Sequence, residues 1–200
     1  MNAPSPYVTP ERRPPPGSYY DPALDAHVIK LLPAEWKVSS EEVALATVLG
    51  SCVAACMYDP VVKVGGMNHF MLPDAAPGDG SARYGAHAME LLINGMLKQG
   101  AARARLQAKV FGGGNVLPGM TIDPVGTRNA NFVQEYLKAE GIPILAQDLG
   151  GVQPRKVVFF VRSGRTLVKR LPAAGEIARV ERDYRSRLAQ SPVAGSVELF

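Results

Sequence analysis

Apolar and polar positions along the chain alternate with two different periods. Val43 to Tyr58, VALATVLGSCVAACMY, is almost wholly apolar and rich in β-branched and small residues. It predicts one long strand, or two strands broken at Gly50-Ser51. After a turn at Asp59-Pro60, Lys63 to Leu72 (KVGGMNHFML) predicts an antiparallel neighbour. HVIKLLP, with Val28, Leu31 and Leu32, predicts an edge strand, and Leu106 to Phe111 a short strand that runs into Gly112-Gly113-Gly114. Ile142 to Ala146 and Lys156 to Arg162 predict further strands. Ser163-Gly164 turns the latter into Thr166 to Arg170 as a hairpin.

Elsewhere the spacing is three and four. Tyr84, Ala88, Leu91, Leu92 and Met96 share one face of a helix predicted over Arg83 to Gln99 and stopped by Gly100. Phe132, Val133, Tyr136 and Leu137 do the same for a helix from about Asn129 to Glu140, stopped by Gly141. Between the strands and the first helix, PDAAPGDGS at Pro73 to Ser81 is a loop by composition. Strands separated by helices make the fold class α/β (α+β), with no internal repeat.

Composition sets the limits of this domain. Eight of the 17 prolines lie in the first 33 residues, including the run Pro14-Pro15-Pro16. Proline lacks the N–H that helices and ladders need, so residues 1–25 are expected to be a disordered leader. Residues 26–185 are expected to be one catalytic domain and 186–200 a flexible tail. With 46% hydrophobic and 20% charged residues, 200 residues suit a single core without disulfide staples. The net charge of +4 is modest. From Arg155 to Arg187 ten basic residues face three acidic ones, but no aromatic interleaving accompanies them, so nucleic acid is not an expected partner. The longest apolar stretch is too short to span a bilayer as a helix, and no signal-peptide h-region opens the chain. A cytoplasmic location without membrane insertion is the expectation.

Candidate chemistry gathers at Leu49-Gly50-Ser51-Cys52 and at Asn68-His69. Cysteine attacks as a thiolate, and a nearby histidine can lower its pKa and carry protons. A Gly50-Ser51 kink is expected to lift Cys52 out of a packed strand and to free backbone N–H groups for an oxyanion. Cys56, in VAACMY, lacks such punctuation and reads as core, the usual fate of a cysteine among small apolar residues. His69, among Met67, Phe70 and Met71, has the same alternative of a satisfied core histidine; His27 and His87 read as surface or capping residues. Cys52, Cys56, His69 and His87 match no zinc-finger spacing, so no metal is expected. Gly112-Gly113-Gly114-Asn115 is followed by no Gly-Lys-Ser/Thr and reads as a turn where another segment or a substrate backbone passes close.

TVLGSCVAACMYDP, VGGMNHFMLP, AKVFGGGN, GTRNANFV and DLGG, in this order from Thr47 to Gly164, resemble the CheD family of chemoreceptor glutamine deamidases. The resemblance implies a layered sandwich of mixed β-sheets with flanking helices. It also implies hydrolysis of selected glutamine side-chain amides on the helical cytoplasmic segments of methyl-accepting chemotaxis receptors, without a cofactor. By the same resemblance Cys52 is the nucleophile, His69 the catalytic histidine and Thr47 the third member that orients it. Ser51, Asn68, Gly66 and Gly113 are the expected oxyanion and substrate-groove residues, in a shallow solvent-open groove. A CheC-type phosphatase is the further partner implied. The alternative is a receptor- or phosphatase-binding regulatory module with little catalysis.

Overall fold

The computed structural model of the chain describes residues 14–72, 81–116, 124–172 and 175–190. Most of the leader, the core of the Pro73–Ser81 loop, Pro118 and the last ten residues lie outside them.

The apolar run over Val43 to Tyr58 is two strands, as the Gly50-Ser51 punctuation allows. The two halves enter different sheets. β1 (Tyr19–Asp21), β2 (Ala26–Lys30), β4 (Val43–Leu49), β9 (Arg155–Phe160) and β10 (Thr166–Arg170) form one five-stranded sheet in the order β1-β2-β4-β9-β10. β3 (Trp36–Ser39), β5 (Val53–Asp59), β6 (Val64–Asn68), β7 (Gln107–Gly112) and β8 (Ile144–Leu149) form the other, in the order β3-β6-β5-β7-β8. The Gly50-Ser51-Cys52 link therefore carries the chain from one sheet to the other. Both sheets are mixed: β2 and β4 run parallel, as do β7 and β8, while the other pairs are antiparallel.

Strand alternation then assigns each side chain to a layer. Leu45 and Leu49 of β4, Val157 and Phe159 of β9, Cys52 of the link, and Ala54, Cys56 and Met67 of the second sheet fill the space between the sheets. The opposite face of the second sheet, with Val53, Ala55, Met57 and Val110, packs on α1 (Ser81–Lys98) and α2 (Val125–Ala139). Met89, Leu92, Ile93 and Met96 of α1 and Val133 and Leu137 of α2 close that layer. Each such fully buried side chain contributes on the order of 1.5–3 kcal/mol. The layering is sheet on sheet on helices, as expected. Among the described residues no helix is long and apolar enough to cross a membrane.

Four features differ from the sequence expectation. β2 is not an edge strand, because Tyr19–Asp21 pairs outside it; this strand lies within the stretch read as leader. β3 was not foreseen, since four residues beginning with an exposed Trp36 carry too short a pattern. α2 starts at Val125, because its first turn holds Gly126, Thr127 and Arg128 and adds little to an apolar stripe. A third helix, α3 (Gly175–Gln190), continues into the stretch read as tail.

Candidate active site

The link between the sheets is held by its carbonyls. Gly50 O accepts from Gly114 N (2.7 Å), Ser51 O from Asn129 Nδ2 (2.8 Å) and Cys52 O from Gly113 N (2.8 Å). Asn129, buried on α2, also accepts Leu72 N–H at 2.8 Å and so ties the end of the β6 segment to the same turn. The glycine run can come this close only without side chains. Gly112 has φ +110°, and a Cβ there would lie 2.1 Å from Cys52 O. The run is braced from behind by the DLGG loop: Gly150 N–H donates to Gly112 O, and Asn115 N–H to Gly151 O. Arg155, buried at the start of β9, holds that loop through Asp148 Oδ1 at 2.7 Å and through the Asp148 and Gly150 carbonyls.

With three carbonyls engaged on one side, the three N–H groups of the link converge on the other. They meet the carboxylate of Glu181, from α3. Gly50 N (2.8 Å) and Cys52 N (3.2 Å) donate to Oε1, while Ser51 N (2.7 Å) and Ser51 Oγ (2.8 Å) donate to Oε2. Removing a carboxylate from water costs several kcal/mol, and four converging donors offset that here.

His69 follows β6, with its side chain on the inter-sheet face. Thr47 of β4 reaches across from the other sheet, and its Oγ1 lies 2.8 Å from both Leu31 O and His69 Nδ1. The single hydroxyl hydrogen goes to the carbonyl, so Oγ1 accepts from Nδ1–H. This fixes the tautomer and leaves the Nε2 lone pair, which is buried and without a hydrogen-bond partner among the described residues. The His69 backbone is fixed as well: its N–H donates to Glu35 O and its carbonyl accepts from Ala34 N, both at 2.9 Å. A ring nitrogen of His69, Cys52 Sγ and a Glu181 oxygen all lie within 4.8 Å of one another. These three side chains could ligate a metal, but both Glu181 oxygens are already occupied by N–H and O–H donors.

Burial and charge set the resting protonation. Burial pushes the Cys52 thiol well up, and the Glu181 carboxylate beside it adds to the shift. Burial lowers His69 to about 4, although Glu181 opposes this. The pair therefore rests as thiol and neutral imidazole.

Cys52, His69, Thr47 and Ser51 are thus brought together. Asn68 and Gly66 are not, and Gly113 meets the link only through its backbone N–H to Cys52 O. Asn68 alternates with His69 and faces α1, where its Oδ1 accepts Ala55 N–H and its Nδ2 donates to Ala88 O. A Cβ on Gly66 would strike Val38 and Leu92, and one on Gly113 would strike α2 at Gly126 O and Ala130. These glycines admit packing and do not line a groove. Nor is the groove open: Cys52 is 0% and His69 2% exposed, beneath α3. Cys56 lies in the core between the sheets and His87 on the exposed side of α1.

Two functional neighbours were missed. Glu181 stands on the face defined by Ile177, Tyr184 and Leu188, where a helix stripe calls for an apolar residue, and that misplaced charge was the available signal. Asn129 carried none, since an asparagine near a helix start is ordinary.

Residues 71–170 match the family model described as CheD chemotactic sensory transduction. The chain is 58% identical over 185 residues to the probable chemoreceptor glutamine deamidase CheD of Xanthomonas campestris pv. campestris (strain B100), covering 91% of this chain and 93% of that one. It is 54% identical over 189 residues to the protein of the same name from Thiobacillus denitrificans, covering 91% and 94%. Among solved structures, that of Bacillus licheniformis hypothetical protein YfiH overlaps 56% of this chain and 49% of its own, with TM-score 0.39 and 14% identity, which is too slight to carry an argument.

Proposed function

The chain belongs to the CheD family, and from that premise we propose that it is a cytoplasmic protein-glutamine deamidase acting on chemoreceptors, with Cys52 as nucleophile and His69 as its acid and base. The observation that carries this reading is the Thr47–His69 hydrogen bond, which leaves Nε2 as the free base of a ring that has a nitrogen within 4.8 Å of Cys52 Sγ.

In this mechanism Nε2 takes the thiol proton as the sulfur attacks the glutamine Cδ. The forming oxyanion takes the seat now held by Glu181 Oε1, against the N–H groups of Gly50 and Cys52. The protonated imidazole returns its proton to the amide nitrogen, because unprotonated amide is too poor a leaving group. Ammonia departs, leaving a thioester on Cys52. Water, deprotonated by the same Nε2, cleaves it to glutamate and free thiol. A neutral pair suits this cycle, since the proton moves only when substrate is present.

The test is incubation of the protein with a chemoreceptor cytoplasmic fragment, read by ammonia release and peptide mass spectrometry. Glutamine-to-glutamate conversion at defined sites is expected; a receptor left unmodified contradicts the reading. Burial of Cys52 favours a second reading, a module that binds receptor or a CheC-type phosphatase without turnover. Binding together with no conversion would select it.

A further inference from the structure

Helix α3 is not needed to assemble the Cys52–His69–Thr47 line, yet it lies over it. α3 pairs with no strand. The last described backbone hydrogen bond before it joins Leu171 N–H to Pro154 O. It holds on by one face, where Tyr184 and Leu188 pack on the inter-sheet core and Glu181, between Ile177 and Tyr184, enters the link. Arg179, Val180, Arg182, Asp183 and Arg187 stand exposed.

Glu181 meets the link in a particular way. Its two oxygens take all three N–H groups of Gly50-Ser51-Cys52 and the Ser51 hydroxyl. Two of them, the Gly50 and Cys52 N–H groups, are the donors the proposed reaction needs for its oxyanion. A glutamate carboxylate is also the product of that reaction. A seat made only of donors binds an anion in preference to a neutral carboxamide, as suits a site complementary to the transition state. A product carboxylate profits from the same donors.

We propose that α3 docks Glu181 at the reaction centre as an internal product analogue, so that the surface beneath α3 is where the glutamine-bearing segment of the substrate binds, and α3 must leave before turnover. This rests on the deamidase reading. The docked state is closed on three counts. The donors are occupied, the thiol is covered, and the adjacent carboxylate disfavours a thiolate. Because α3 takes part in no β-ladder, it can leave with both sheets intact. The fraction of molecules with α3 undocked scales the apparent affinity for substrate.

The test uses full-length Glu181→Ala and Arg182→Pro. The first deletes the carboxylate; the second breaks the helix at an exposed position and keeps Glu181. Iodoacetamide labelling of Cys52, mapped by fragment ions, should be roughly tenfold faster or more in both, and kcat/KM on a receptor fragment should rise, mainly through KM. Labelling unchanged in both variants overturns the proposal. Faster labelling with a lower kcat/KM also overturns it, because α3 then assists substrate binding. Faster labelling with no conversion by any variant, wild type included, leaves α3 as the cover of Cys52 and removes the deamidase reading instead. Glu181→Gln adds an internal check. The amide at 181 should hydrolyse, with water consumed and ammonia released, so that the purified variant returns to the wild-type mass. Combined with Cys52→Ala it should stay amidated. A Glu181→Gln protein that keeps its amide while Cys52 labels as slowly as in wild type, so that the helix is still docked, overturns the product-analogue assignment.

Discussion

Thr47 Oγ1, on β4 of one sheet, and His69 Nδ1, just past the end of β6 in the other, lie 2.8 Å apart, and the Thr47 hydroxyl hydrogen is committed to Leu31 O. The imidazole therefore holds its proton on Nδ1 and its lone pair on Nε2. Thr47→Val keeps the volume but loses the acceptor, freeing the ring to change tautomer. kcat should fall roughly 10- to 100-fold, the cost of misplacing a reacting group. Thr47→Ser should restore most of it. A pH–rate profile that shifts in Thr47→Val and returns in Thr47→Ser checks the orienting role; a kcat unchanged in Thr47→Val contradicts it.

Asn129 bridges Ser51 O and Leu72 N, both at 2.8 Å, from a fully buried position. Asn129→Ala leaves two buried backbone groups without partners, at about 1–3 kcal/mol each. Chemical denaturation should show a loss of about 2–6 kcal/mol, and activity should fall in the fraction that remains folded, because the Ser51 turn is released.

Gly112 is fixed by two demands at once, φ +110° and a Cβ position 2.1 Å from Cys52 O. Gly112→Ala must displace the Cys52 carbonyl, because backbone faces it and no flexible side chain can give way. Deamidation should drop roughly 100-fold or more, in line with a shift of about 1 Å at a reacting centre. Gly141→Ala is the control. Its φ is also positive, +66°, but nothing lies within 4 Å of its Cβ, so it should lose some stability and keep its kcat.

His69 supplies a pH dependence of stability. Burial lowers its pKa from 6.5 to about 4 in the folded protein, whereas the unfolded chain protonates near 6.5. Between these values the unfolded state binds more protons, so stability is full above pH 6.5 and falls as pH drops toward 4. A shift of this size corresponds to about 3 kcal/mol. Denaturant titrations from pH 7.5 to pH 4 on wild type and His69→Gln, a range of roughly the required span, should show this decline in wild type and its loss in the variant.

The elements that carry the site were legible because their patterns are local. The β5–β6 antiparallel pair, the β9–β10 hairpin and the apolar faces of α1 and α2 follow from period and punctuation alone. Gly50-Ser51 marks a break, but no local pattern shows that the two halves enter different sheets. That long-range fact is what sets Thr47 opposite His69 and puts Asn68 on the far face. The glycine run at 112–114 was legible as a place of close approach, but not what approaches it; the partners are side chains and backbone of distant segments. Polar composition hid α3, since one glutamate on an otherwise apolar stripe has meaning only once its partner turn is known.

The central claim is that the Cys52 sulfur forms the bond to the glutamine carbon. Its most direct test compares receptor conversion by wild type and Cys52→Ala, with glutamate appearance followed by mass spectrometry of the receptor fragment. Removing a nucleophile should leave conversion at the uncatalysed background while circular dichroism stays native. Conversion by Cys52→Ala at the wild-type rate would contradict the account.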